Sequence, residues 1–127
     1  MQPLRRLGQM CIGTTFVQLG TANLRDPGGR TDLAAPVLAG LRKVVPLPAD
    51  DATLVRLNGA LHVGAGSLLM SGRVPRLAAA ALAASLVPTT MAGHRYWEEK
   101  DPERRTAQKV NFLKNIGLLG GLLAVVA

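Results

Sequence analysis

The chain has 127 residues, 48% of them hydrophobic and 3% aromatic, with a formal net charge of +7. That length gives room for one domain. Phe16, Tyr96, Trp97 and Phe112 are too few to interleave with 15 Lys and Arg as base-stacking platforms, so nucleic acid is excluded as the partner of the basic charge, which is expected to meet anionic lipid headgroups or to set insertion topology.

Charges are scarce between Leu7 and Leu24, between Leu57 and Gly72, between Leu77 and Gly93, and after Asn115, and they crowd the segments between. This segregation predicts an all-α four-helix transmembrane bundle, a single domain over residues 1–127. The first span is expected over residues 4–24. Arg5 and Arg6 before it resemble the start of a secretory signal, but no A-x-A-like site follows and the run holds Gln9, Thr14, Thr15 and Gln18, so a retained span is expected. Arg25-Asp26-Pro27-Gly28-Gly29-Arg30 is a turn-forming stop.

Residues 36–45 follow. Val37, Leu38, Leu41, Val44 and Val45 form one stripe with Arg42 and Lys43 off it, which predicts a short amphipathic interfacial helix, Pro36 at its start and Pro46 ending it. At roughly 15 Å it is too short to cross the hydrocarbon. A second span over residues 52–72 would be capped by Asp50 or Asp51, with Arg56 able to extend toward the headgroups. Gly72-Arg73-Val74-Pro75-Arg76 makes a tight connection to a third span over residues 75–93. Pro88 inside that span should free a carbonyl for a hydroxyl such as Thr89 or Thr90. Residues 116–127 alone would measure about 18 Å, so the fourth span must begin near Arg105 to reach about 34 Å and cross a bilayer.

Three spacings predict close helix packing: Ala60 with Gly64, Ala80 with Ala84, and Gly117 with Gly121. The connections after spans one and three carry 11 of the 15 Lys and Arg residues, which favours placing them in the cytoplasm, although Arg5 and Arg6 beside the first span argue the opposite.

Three motifs, LVRLNGALHVGAG from Leu54 to Gly66, SLVPTTMAGHRYWEEKDPERR from Ser85 to Arg105, and FLKNIGLLGGLL from Phe112 to Leu123, resemble in order and spacing the DoxX family of small membrane proteins, and look closest to actinobacterial members. The matching positions are Arg56, Asn58, Gly59, Pro88, Thr89, His94, Trp97, Lys114 and Asn115. The resemblance implies a four-helix integral protein of the bacterial plasma membrane. The family is named for a small subunit of a terminal quinol oxidase and is linked elsewhere to thiol and oxidative-stress complexes. It implies no reaction and supplies no catalytic residues. Relatives often continue into a polar tail, so one is expected beyond Ala127.

Asn58 and His62, one turn apart on one helix face, should point into the bundle, where polar groups escape lipid. By counting levels from the turn near Arg73, His62 should lie level with Ala83 on the third span, Leu118 on the fourth and residues 11–15 on the first. A neutral imidazole there could bond a quinone carbonyl or relay a proton, or simply hold helices in register. His62 and His94 differ in expected height by roughly 15 Å, too far to share one haem. Tyr96 and Trp97 are expected to anchor the third span at the headgroups, with His94 and Glu98 paired one turn apart. Arg56, His94, Glu98, Lys114 and Asn115 could line a polar pocket at one membrane face. The mixed charges from Arg95 to Lys109 form a solvated surface or a docking site for another subunit. Cys11 is expected to fill packing space, and one cysteine leaves no CxxC pair or cysteine-rich zinc site.

No nucleophile with a base, phosphate loop or metal-ligand spacing is present. The sequence therefore favours an accessory or assembly subunit of a respiratory or redox membrane complex, not an enzyme by itself. Its partners would be lipids and other subunits, with no resident cofactor or metal. The alternative is a small quinone- or lipid-binding redox protein using His62 or the His94 pocket.

Overall fold

Among residues 2–26, 28–47 and 50–127, which the computed structural model describes, five α-helices and one 3-10 turn follow one another. They are α1 (Pro3–Arg25), α2 (Gly28–Arg42), α3 (Asp51–Ser71), α4 (Pro75–Gly93), the turn Tyr96–Glu98, and α5 (Pro102–Val126). Each long helix has a local reason to start. Prolines open α1, α4 and α5, where a missing N–H costs no intrahelical bond. The Asp50 carboxylate accepts the Thr53 backbone N–H at 2.8 Å to cap α3, and Asp101 accepts that of Arg104 at 3.4 Å to cap α5. Gly72, at φ 74°, closes α3 in the left-handed conformation. Its N–H reaches the Leu69 carbonyl at 3.1 Å, and that of Arg73 reaches Leu68 at 3.2 Å, the paired bonds of a Schellman ending.

The helices run antiparallel in sequence, and α1 lies closest against α3. Gly13 of α1 faces Gly66 of α3, and Gly20 faces Gly59, a seven-residue step on both helices. A Cβ added at Gly20 would stand 2.5 Å from the Gly59 carbonyl oxygen and 2.8 Å from His62 Cβ, so the two backbones touch. Small residues at this interval let two helices approach until backbone meets backbone, where dispersion at close range holds them. Phe16, Leu69, Ala78, Ala79, Leu82, Ala83, Leu86, Leu122 and Val125 fill the core beside this seam. From α5 only Leu122 and Val125 are buried, and the position of a Gly121 Cβ lies 3.1 Å from Ile12 Cδ1 of α1.

Among the described residues two segments are long and apolar enough to cross a membrane, Pro75–Glu98 and Pro102–Val126. The helices α1 and α3 have comparable lengths of 23 and 21 residues, but Arg5, Arg6, Gln9 and Gln18 in one, and Arg56, Asn58 and His62 in the other, lower their apolar character.

The element between spans one and two differs from its expected bounds of 36–45. It begins at Gly28 and ends at Arg42, with Pro36 in its interior. Pro36 lacks the N–H that would bond the Asp32 carbonyl and its ring crowds that carbonyl, yet the helix runs on through it, with Leu33, Ala34 and Ala35 before it favourable to helix. None of its residues is buried. Arg42 ties it to the start of α3 through an ion pair with Asp51 at 2.6 Å. Pro27, part of the expected turn, lies outside the described residues.

Two of the three small-residue spacings fall outside the bundle's own helix contacts, and the third lies within them only at Gly121. Ala60, Gly64, Ala80, Ala84 and Gly117 are exposed, and nothing lies within 4 Å of a Cβ at Gly64 or Gly117. Close packing uses neighbouring positions on two helices, Gly59 and Gly66 on α3 and Ala78, Ala79 and Ala83 on α4, and the expected Gly121 on α5. A helix rich in small residues on every side carries several such spacings, and only the rotation of the helix selects one of them.

Candidate functional site

Polar side chains meet along the α3–α4 interface in two rungs. Asn58 and His62, one turn apart on α3, oppose Thr89 and Ser85, one turn apart on the antiparallel α4. Asn58 Nδ2 donates to Thr89 Oγ1 at 3.1 Å, and the Thr89 hydroxyl donates to its own helix at the Ser85 carbonyl, 2.8 Å away. The Ser85 hydroxyl donates to Asn58 Oδ1. Its single proton is thus committed, and its contact with His62 Nε2 at 2.8 Å must be one in which the imidazole N–H donates. For a neutral ring this puts the proton on Nε2 and leaves Nδ1 as an acceptor. That atom is buried without a partner, and the imidazole, 1% exposed, meets Phe16 edge to face with ring centroids 5.1 Å apart.

Level counting placed His62 beside Ala83; the structure places it beside Ser85, and beside Phe16 rather than residues 11–15. The expected inward orientation of Asn58 and His62 thus has a named partner. Ser85 is missed by reading α3 alone, yet Ser85 and Thr89, four apart on the third span, carry the same signal of a polar helix face. The hydroxyl freed for Pro88 also differs in detail. Proline at 88 leaves the Ala84 carbonyl without its N–H, whereas Thr89 bonds that of Ser85.

The pocket expected at the end of α4 is not assembled as one site. Asn115 Nδ2 donates to Thr90 Oγ1 at 2.9 Å and joins α5 to α4, at the wall of a cleft of about 150 Å3 lined otherwise by apolar side chains including Leu86, Phe112 and Leu119. The His94 imidazole donates from Nδ1 to Gln108 Oε1 at 2.7 Å. Glu98 pairs instead with Arg95 at 3.5 Å. The one-turn spacing from His94 to Glu98 needs an unbroken helix, and α4 stops at Gly93 before the separate turn Tyr96–Glu98. Arg56 and Lys114 are exposed. Tyr96, Trp97 and Phe112 form a mutual edge-to-face triad with centroids 5.3 to 5.7 Å apart, and Lys109 Nζ stands 5.8 Å from the Tyr96 ring. This triad fastens the 3-10 turn to α5, a contact that the sequence gives no way to assign to Phe112.

At the other end of the bundle Arg6 donates to the Met70 carbonyl at 2.9 Å and to Gln9 Oε1 at 3.0 Å, capping the end of α3. Gln9 Nε2 is buried without a partner. Cys11 is a free thiol on the exposed side of α1, not packing filler in the core. Among the described residues no group of three or more His, Cys, Asp or Glu side chains is disposed to hold a metal ion.

An all-α bundle with two helices long and apolar enough to span a membrane, and polar groups paired across its interior, is consistent with a small multi-pass membrane protein. The DoxX family matches residues 6–95, and the chain belongs to that family. The matched stretch covers α1 to α4 and stops before α5, so Lys114, Asn115 and the glycine-rich run lie beyond it. No curated protein and no solved structure matches the chain.

Proposed function

We propose that this protein is a non-catalytic accessory or assembly subunit of a larger respiratory or redox complex, a four-span bundle in the bacterial plasma membrane. Its resemblance to actinobacterial members points to that group as its source. The four-span reading draws support from the way α1 and α3 treat their polar residues. Thr14, Thr15 and Thr21 turn their hydroxyls onto carbonyls four residues back in α1, at 2.7 to 3.1 Å, while Asn58 and His62 pair with α4. Such satisfaction lets helices of modest hydropathy sit in lipid. The Lys and Arg count favours cytoplasmic long connections, and Tyr96 and Trp97 serve as interfacial anchors.

The observation that carries the accessory reading is where the small residues face. The exposed side of α5 presents Gly117, Gly120 and Ala124 among Leu113, Ile116 and Leu123, and α3 and α4 expose Ala60, Gly64, Ala80 and Ala84. Outward small residues let a further helix approach closely, which lipid contact alone does not require. The mixed-charge segment from Arg95 to Lys109 adds a polar docking surface beside them.

The test is extraction of the native membrane into polymer-bounded discs, followed by mass analysis of intact assemblies. A stoichiometric complex is expected for the wild type. Gly120→Leu, at a position where an added Cβ has no neighbour within 4 Å, should release the subunit while leaving its own melting temperature unchanged. A wild-type protein recovered only as a monomer overturns the reading.

A second reading rests on His62 Nδ1, an acceptor buried without a partner. It fits the hydroxyl of a reduced quinol better than the carbonyl of a quinone, because Nε2 already spends the imidazole's one N–H on Ser85. Equal quinone content in wild type, His62→Ala and His94→Ala would remove it.

A further inference from the structure

All eight acidic residues, Asp26, Asp32, Asp50, Asp51, Glu98, Glu99, Asp101 and Glu103, belong to the end of the bundle where α1 finishes and α3 and α5 begin. The opposite end holds Arg5, Arg6, Arg73 and Arg76 and no carboxylate side chain. Of these, Arg6 is occupied in capping α3. Arg5 and Arg76 flank an open cleft of about 420 Å3 between the starts of α1 and α4, whose remaining lining is Val74, Pro75 and Leu77. Val74 is 56% exposed, Leu77 70% exposed and Leu4, beside Arg5, 82% exposed. Val74 is also held at φ 41°, a left-handed conformation unfavourable to a β-branched residue.

We propose that this cleft binds one anionic phospholipid, its acyl chain along the apolar lining of Val74 and Leu77 and its phosphate at the rim, where Arg5 and Arg76 are exposed. The inference rests on the four-span reading, which sets this end of the helices at headgroup height. Two exposed arginines with no acidic side chain at this end of the bundle match a phosphodiester in charge. A free phosphate would satisfy the arginines but leave the apolar floor in water, and a lipid covers both. Arg73, in the same turn, adds to the local positive field and favours lipids of net negative charge over zwitterionic ones.

The experiment uses the full chain in discs of phosphatidylcholine, titrated with phosphatidylglycerol or with water-soluble glycerol phosphate, and read by native mass spectrometry of retained lipid. The wild type should keep one phosphatidylglycerol in preference to phosphatidylcholine. Arg5→Ala with Arg76→Ala should weaken that preference by about thirtyfold, the effect of losing two interfacial cations. The pair Arg104→Ala with Arg105→Ala, at the acidic end, should leave it unchanged. An undiminished preference in the first pair, equal losses in both pairs, or full displacement by glycerol phosphate overturns the site. Alkaline washing of the same membranes separates the two levels of the argument. Protein retained in the membrane but lacking the lipid preference overturns the cleft alone, whereas protein released by the wash overturns the four-span reading and the cleft with it.

Discussion

Gly20→Ala inserts one methyl where two helix backbones meet. The added carbon would lie 2.5 Å from the Gly59 carbonyl oxygen, 2.8 Å from His62 Cβ and 2.9 Å from the Val63 nitrogen. All three atoms belong to the α3 backbone or are attached directly to it, so no side-chain rotation relieves the clash. Restoring ordinary contact requires α1 and α3 to part by about an ångström, and since Gly13 meets Gly66 two turns away, the separation loosens that contact too. Overpacking of this kind costs about 1–3 kcal/mol, and a clash against backbone belongs at the upper end, about 3 kcal/mol. Reversible unfolding by dodecyl sulfate in mixed micelles measures it. The matched control is Gly64→Ala on α3, which meets nothing within 4 Å and should fall within about 0.5 kcal/mol of wild type, or slightly above it from better helix propensity. A Gly20→Ala protein as stable as the control would refute the contact between backbones and the register built on it.

Ser85→Ala removes the acceptor of the His62 N–H and the donor to Asn58, and should cost about 1–2 kcal/mol in the same assay, since interhelical hydrogen bonds in lipid are individually weak; no change would mean the seam does not hold the helices. Phe112→Ala breaks two edge-to-face contacts and should free the 3-10 turn at a cost of about 1–3 kcal/mol; because Trp97 is the only tryptophan, its emission reports the change directly, and an unaltered spectrum counts against the triad. Hydrogen bonds from the Thr53 side chain and backbone hold the Asp50 carboxyl below its ordinary 3.8, so its cap is worth most above that value and fades as pH falls through the lowered one. The stability gap between wild type and Asp50→Ala should therefore stay constant from neutral pH down to about pH 5 and close only in stronger acid; a gap that closes near neutrality would contradict the assignment.

Helix limits were legible from local chemistry. Pro75 and Gly93 bound α4 as expected, and Asp50 and Gly72 close the two ends of α3 as cap and left-handed stop, because caps, prolines and turn glycines act through neighbours in the chain. The inward face of Asn58 and His62 was legible too, since two polar residues one turn apart in an oily helix have one tolerable direction. The separate turn Tyr96–Glu98 was not, and it parted His94 from Glu98 and gave each a different partner.

The amino-acid order by itself determined that these segments are helices and, for α1, α3 and α4, where each begins and ends. Only the tertiary structure decided which side of each helix meets another. In a soluble bundle the oily stripe marks the core, but here the outside is oily as well, so hydropathy carries no rotational information. Gly59 and Gly66 differ from the exposed Ala60 and Gly64 only in angle around α3. That angle is set by which glycines let α1 come close enough for backbone to touch backbone, a condition that belongs to two helices together and to neither sequence alone.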